Sequence, residues 1–105
     1  MWIVSKAEYS GGYAIAKLKR SKSGLDCKWD QDETQPAGAD SYGIAVDDKG
    51  NPAFISMDKH IHWKRDGKWE SFEGCVTRIA FGASTFFKLS CDDNFVHKLV
   101  GNKWV

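Results

Sequence analysis

Ile61-His62-Trp63-Lys64-Arg65-Asp66-Gly67-Lys68-Trp69 lies over Val96-His97-Lys98-Leu99-Val100-Gly101-Asn102-Lys103-Trp104 without a gap, 35 residues apart. A β-branched residue, a His and a closing Lys-Trp match in register. Upstream, Ala53-Phe54-Ile55-Ser56 lies over Phe87-Lys88-Leu89-Ser90 at an offset of 34, and Ile44-Ala45-Val46 over Ile79-Ala80-Phe81 at 35. Three segments at one period mark an internal repeat, and a repeat decides the architecture.

A damaged third copy lies at the N-terminal side. Trp2-Ile3-Val4-Ser5 resembles Ala53-Phe54-Ile55-Ser56, Tyr13 to Leu18 stands as the next strand, and Lys28-Trp29 closes the unit. Ser5 to Trp29 spans 24 residues, against 13 and 14 in the later copies, so this unit carries an insertion, placed at Lys19–Gly24. Asp30–Pro36 reads as an acidic surface loop. The chain is thus one repeat domain, 1–105, with units of about 1–37, 38–73 and 74–105.

The runs between repeats are short and rich in β-branched and aromatic residues. Asp66-Gly67 and Gly101-Asn102 between such runs are hairpin signals, because Gly, Asn and Asp tolerate positive φ. Helix signals are nearly absent. Tyr13–Arg20 has some helical character, but Tyr13, Ile15 and Leu18 fit neither period. Many short strands at regular spacing give an all-β fold. Four antiparallel strands in about 35 residues is the size of a propeller blade, and such repeats bury their faces only by stacking.

Composition narrows the function. The chain has 105 residues, a net charge of +1, 42% apolar and 28% charged residues. Those are ordinary globular values, which argue against disorder. The balance of 15 basic and 14 acidic residues argues against nucleic-acid binding. No apolar run reaches the roughly 18–20 residues of a membrane helix. No secretory signal is visible, so a cytoplasmic location is expected, with non-classical export as the alternative. Cys27, Cys75 and Cys91 lack Cys-x-x-Cys spacing. Three reduced thiols are the default, and one bond plus one free thiol the alternative for an exported protein.

The residues resemble the tectonin family of β-propeller repeats. The best copy runs Trp69-Glu70-Ser71-Phe72-Glu73-Gly74, Arg78-Ile79-Ala80-Phe81-Gly82, Phe87-Lys88-Leu89-Ser90, Val96-His97-Lys98 and Trp104. The middle copy contributes Gly38, Ile44-Ala45-Val46, Asp48-Lys49-Gly50-Asn51 and Ile61-His62. The resemblance covers 36–105 well and 2–29 poorly. His62 and His97 stand where the family has Tyr, and Ala53 where it prefers Trp. The resemblance implies about three tectonin-like blades and a lectin that binds glycans or bacterial surface polysaccharide without catalysis. A structural or adaptor propeller subunit binding protein partners is the alternative. The strand that should precede Trp2 is missing, and three blades with a gap cannot close a ring that usually takes about four to eight. Completion as a homo-oligomer, most simply a dimer, is expected. A single barrel with remnant repeats is the other possibility.

Trp29, Trp69 and Trp104 recur at one position and read as packing between units. Trp63 has no repeat partner, since Lys98 holds its place, and it is the better ligand candidate. Trp63, Arg65, Asp66, Lys98 and Asn102 flank hairpin turns and form the expected ligand site. Trp2, Phe54 and Phe87 are assigned to apolar packing. His60 and His62 share a strand face but lack a third ligand, so no metal is assigned. Asp47-Asp48-Lys49-Gly50-Asn51 lacks the spacing of an EF-hand and reads as an Asx-stabilised turn, with Cys91-Asp92-Asp93-Asn94 in the matching place. No nucleophile elbow, phosphate loop or dinucleotide turn is present, so neither an enzyme nor a cofactor is expected.

Overall fold

A computed structural model describes residues 2–20, 27–32, 34–72, 74–82, 84–101 and 103–105. Its regular structure consists of antiparallel strands, as the short β-branched and aromatic runs require. They are β1 (Trp2–Tyr9), β2 (Gly12–Arg20), β3 (Cys27–Gln31), β4 (Ala39–Val46), β5 (Pro52–Ser56), β6 (Ile61–Arg65), β7 (Lys68–Phe72), β8 (Val76–Gly82), β9 (Thr85–Ser90), β10 (Val96–Val100) and β11 (Lys103–Trp104). Among the described residues no helix is long and apolar enough to cross a membrane. Gly12–Arg20, with its mixed periodicity, is a strand.

The strands group into three meanders. The first pairs β1 with β2 and β2 with β3, the second runs β4-β5-β6-β7, and the third β8-β9-β10-β11. The first two join into one sheet through Tyr13↔Ala39. Neither sheet closes on itself among the described residues. Ser10-Gly11 joins β1 to β2 and Asp66-Gly67 joins β6 to β7, each with two successive positive φ values. That is the twist a two-residue hairpin needs. Every segment found at the 34–35 residue offset occupies the corresponding strand: β4 over β8, β5 over β9, and the β6–β7 hairpin over β10–β11.

Pairing register fixes which side chains share a face, because partners directly opposite lie on the same side of an antiparallel pair. Val4↔Ile15 places one apolar face of the first meander. That face meets Ala39, Ile44, Phe54 and Trp69 of the second meander, with Trp2 joining the same cluster. The second meander turns its other face toward the third. There Ala45, Ala53, Ile55, Ile61, Trp63 and Phe72 meet Val76, Ile79, Phe81, Phe86, Leu99 and Trp104. The core is therefore two junctions between three meanders, each meander supplying a different face to each neighbour.

Two expectations are corrected here. Asp30–Pro36 is a surface segment only in part: Asp30, Gln31, Thr34 and Pro36 are exposed, with Asp30 and Gln31 ending β3, but two side chains turn inward. Gln35 is buried, and its amide pairs with the β2 backbone: Oε1 accepts from Ile15 N at 2.8 Å, while Nε2 donates to Tyr13 O at 2.8 Å and Ala37 O at 2.7 Å. The side chain stands in for a strand where a bare edge would leave buried amides unpaired. Asp32 is likewise drawn in, its side chain 6% exposed. The three thiols are not all free either. Cys75 and Cys91 form a disulfide, with Cα atoms 5.3 Å apart, within the span a bond needs. Of the expected insertion Lys19–Gly24, Lys19 and Arg20 belong to β2, while residues 21–24, with 25, 26 and the Cys27 side chain, lie outside the described residues.

Candidate functional site

Register makes the three meanders comparable position by position. Leu18↔Trp29, Lys64↔Trp69 and Leu99↔Trp104 are equivalent pairs. One residue earlier on the first strand of each pair stand Lys17, Trp63 and Lys98. Across from these, on the preceding strand, stand Trp2, Ala53 and Phe87. Lys19–Asp30 at 2.8 Å and the Arg65–Glu70 ion pair occupy equivalent places as well. The two junctions thus share one framework and differ in side chains.

At the second junction that framework is filled. Trp63 stacks on Phe72 with centroids 6.4 Å apart and meets Phe86 edge-on at 4.6 Å. The Arg65 guanidinium lies 4.1 Å over the Trp63 ring. Trp63 Nε1 donates to Asp47 Oδ2 at 3.1 Å. Burial pushes the Asp47 carboxyl up, but hydrogen bonds from Asn51, Lys49 and Trp63 outweigh it and hold the group low.

At the first junction Lys17 replaces the tryptophan, and a cleft of about 570 Å³ opens. Trp2, Lys17, Asp30, Gln31, Asp32 and Lys64 line it. Trp2 Nε1 donates to Gly50 O at 3.1 Å, which ties the indole to the turn between β4 and β5. Asp32 Oδ2 accepts from Lys64 Nζ at 2.8 Å, and its Oδ1 accepts from Thr34 N at 2.8 Å and Thr34 Oγ1 at 2.5 Å. Thr34 Oγ1 in turn accepts from Trp69 Nε1 at 3.1 Å. Burial raises the Asp32 pKa, yet the bonds from Lys64 and Thr34 prevail and hold it below the ordinary carboxylate value. The wall of the cleft is therefore fixed, charged and hydrogen-bonded, with one aromatic ring held against it. Such a concave site, with a few convergent polar groups and an aromatic surface, has the chemistry that complements a polar ligand.

The sequence-expected residues fall in three places. Trp63, Arg65 and Asp66 stay together on the β6–β7 hairpin, with Asp66 at φ 52° in its turn. Trp63 sits in the apolar junction with its ring already contacted from within the chain. Lys98 lies on β10 of another meander, on an exposed face. Asn102 lies outside the described residues. Trp63 and Lys98 are register equivalents of Lys17, so two of the sequence-expected residues and one residue of the cleft share a single position in the three meanders. Trp2, Lys17, Asp30, Gln31, Asp32 and Lys64 escaped it. The Trp2 signal was present, because a Trp faces a Lys here where Ala faces Trp in the next unit, but the first unit's poor match hid it.

Trp69 and Trp104 pack into the junctions, Trp69 edge-on to Phe54 at 5.3 Å and Trp104 edge-on to Phe72 at 6.3 Å. Trp29 remains 48% exposed. His62 stacks on Phe54 at 5.2 Å and shares a 2.8 Å hydrogen bond with Ser71 Oγ, and burial holds its pKa low. Asp47 Oδ1 accepts from Lys49 N and Asn51 N, the geometry of an Asx turn. Cys91–Asn94 is not its match. That segment joins β9 to β10 and corresponds to 57–60, between β5 and β6.

No protein-family model, no curated protein and no solved structure matches this chain.

Proposed function

We propose that the protein is a carbohydrate-binding, lectin-like module that takes glycan or polysaccharide units in the first-junction cleft, without catalysis. The observation that carries the reading is a pinned indole, Trp2, beside Lys17, Asp30, Gln31 and the ordered Asp32–Lys64 pair. A sugar ring offers one apolar C–H face and a rim of hydroxyls. An aromatic surface flanked by carboxylate, amide and ammonium groups complements both. The tectonin resemblance of 36–105 supports the same reading, with the meanders as propeller blades. The buried carboxylate favours binding over general-acid work. Asp32 is held below the ordinary carboxylate value by Lys64 and Thr34, whereas a proton donor needs a raised pKa. The Cys75–Cys91 bond favours the exported alternative over the cytoplasmic one, since disulfides persist mainly in oxidising compartments.

Binding of the labelled protein to an array of neutral and acidic glycans and bacterial polysaccharides tests this. Hits competed by free sugar and lost in Trp2→Ala are expected. A blank array with folded protein, or hits unaffected by Trp2→Ala, would overturn the assignment.

A further inference from the structure

The two internal junctions repeat one arrangement, and the same arrangement predicts what covers the two end faces. In the second meander, Phe54 and Trp69 face the first meander, while Ala53, Ile55, Ile61 and Trp63 face the third. The register equivalents in the third meander divide the same way. Phe86, Lys88, Leu99 and Trp104 turn toward the second meander, with Lys88 Nζ 4.8 Å over the Trp104 ring where Phe54 meets Trp69. Phe87, Leu89, Val96, Lys98 and Val100 therefore point away from it. Val96 is 67% and Val100 53% exposed, and Val105, hydrogen-bonded to Lys98 through both backbone groups, is 66% exposed. In the first meander, Ile3, Ala16, Leu18 and Trp29 share the face opposite Val4 and Ile15.

The Trp29 face thus has the form of the Phe54–Trp69 face. The Val96–Val100 face has the form of the Ile61–Trp63 face. Inside the molecule, faces of these two kinds cover one another. We propose that a second copy of this chain docks head to tail, its Val96–Val100–Val105 face closing over the Trp29–Leu18–Ile3 face of the first. The proposed contact continues the internal packing, a third instance of a junction the chain already makes twice. The Val96–Val100–Val105 face is an exposed apolar patch of the kind that marks association surfaces; the opposing face exposes Trp29, with Ile3 and Leu18 half-buried and Ala16 buried. Head-to-tail contacts close into rings when the rotation permits.

Sedimentation velocity over a concentration series tests this on the whole chain. A mass above the 11.8 kDa of one copy is expected. Trp29→Glu and Val96→Glu each place a charge in the proposed contact and are expected to weaken association on the order of a hundredfold. Both positions are exposed, so the fold, checked by circular dichroism, is retained; Trp29→Ser and Val100→Glu serve as second variants. Mixing the two weakened variants is the sharper experiment. Each carries the face the other lacks, so the mixture is expected to form a one-to-one pair that grows no further. A monomer at every concentration would overturn the proposal. Loss of association in only one of the two variants, or a mixture that stays monomeric, would overturn the head-to-tail arrangement.

Discussion

The two junctions have the same strand register and different characters. The first has an apolar centre of Ile15, Ala39 and Phe54 and a polar, open margin. Asp32–Lys64, Thr34 and the Trp69 indole hold it together around a cleft. The second is apolar and filled by Trp63, Phe72, Phe81, Phe86 and Trp104. The decisive exchange is Lys17 for Trp63 at one register position. A repeat sets where faces meet, while single side chains at equivalent positions decide whether the meeting place is filled or left open.

Trp63→Ala tests the filled junction. It removes an indole from a cluster with no replacement and is expected to cost about 3–5 kcal/mol, read by urea unfolding of the oxidised protein. A loss below about 1 kcal/mol would mean that the second junction does not depend on this ring.

Asp32→Ala is the corresponding break at the open junction. It removes the bonds to Lys64 and Thr34 and is expected to cost about 2 kcal/mol. The pH profile carries the same signature. Asp32 titrates in the fold below its ordinary value of 3.8, so its contribution is fully present above that value and is lost as pH falls through the folded value. Unfolding midpoints measured from pH 6 down to 2 are expected to fall less steeply in Asp32→Ala than in the parent. Parallel slopes would remove Asp32 from the account.

Lys17→Trp sharpens the comparison with the smallest expected effect on stability, within about 1 kcal/mol. It writes the second junction's residue into the first, across from Trp2. Glycan binding is expected to disappear while the fold persists. Retained binding would show that the cleft is not the site.

How much of this was readable from the residues alone follows from what each feature depends on. The repeat was legible because turns and strands impose local patterns: Asp66-Gly67, the paired Lys-Trp ends and the β-branched runs all landed on equivalent strands. The packing of Trp69 and Trp104 was legible from their recurrence, whereas Trp29, which recurs with them, joins neither junction and is 48% exposed. The cleft was not, because it arises where a pattern is broken, in the unit that matches least. The burial of Asp32 and Gln35 was hidden as well. Their composition is that of a surface loop, and only the fold brings the Gln35 amide to the β2 backbone at Tyr13 and Ile15 and the Asp32 carboxylate to Lys64 and Thr34. Cys75 and Cys91 are brought together by the β8–β9 pairing, across which Val76 faces Ser90, and nothing in their spacing announces it.

The most direct measurement is a two-dimensional NMR titration of the five indole N–H signals with an oligosaccharide taken from the array. Trp2 lines the cleft, whereas Trp63, Trp69 and Trp104 lie in the junctions. The account expects the Trp2 signal to shift saturably with added sugar while the Trp63 signal stays fixed. A saturable shift at Trp63 with Trp2 unmoved would contradict it and return the site to the β6–β7 hairpin.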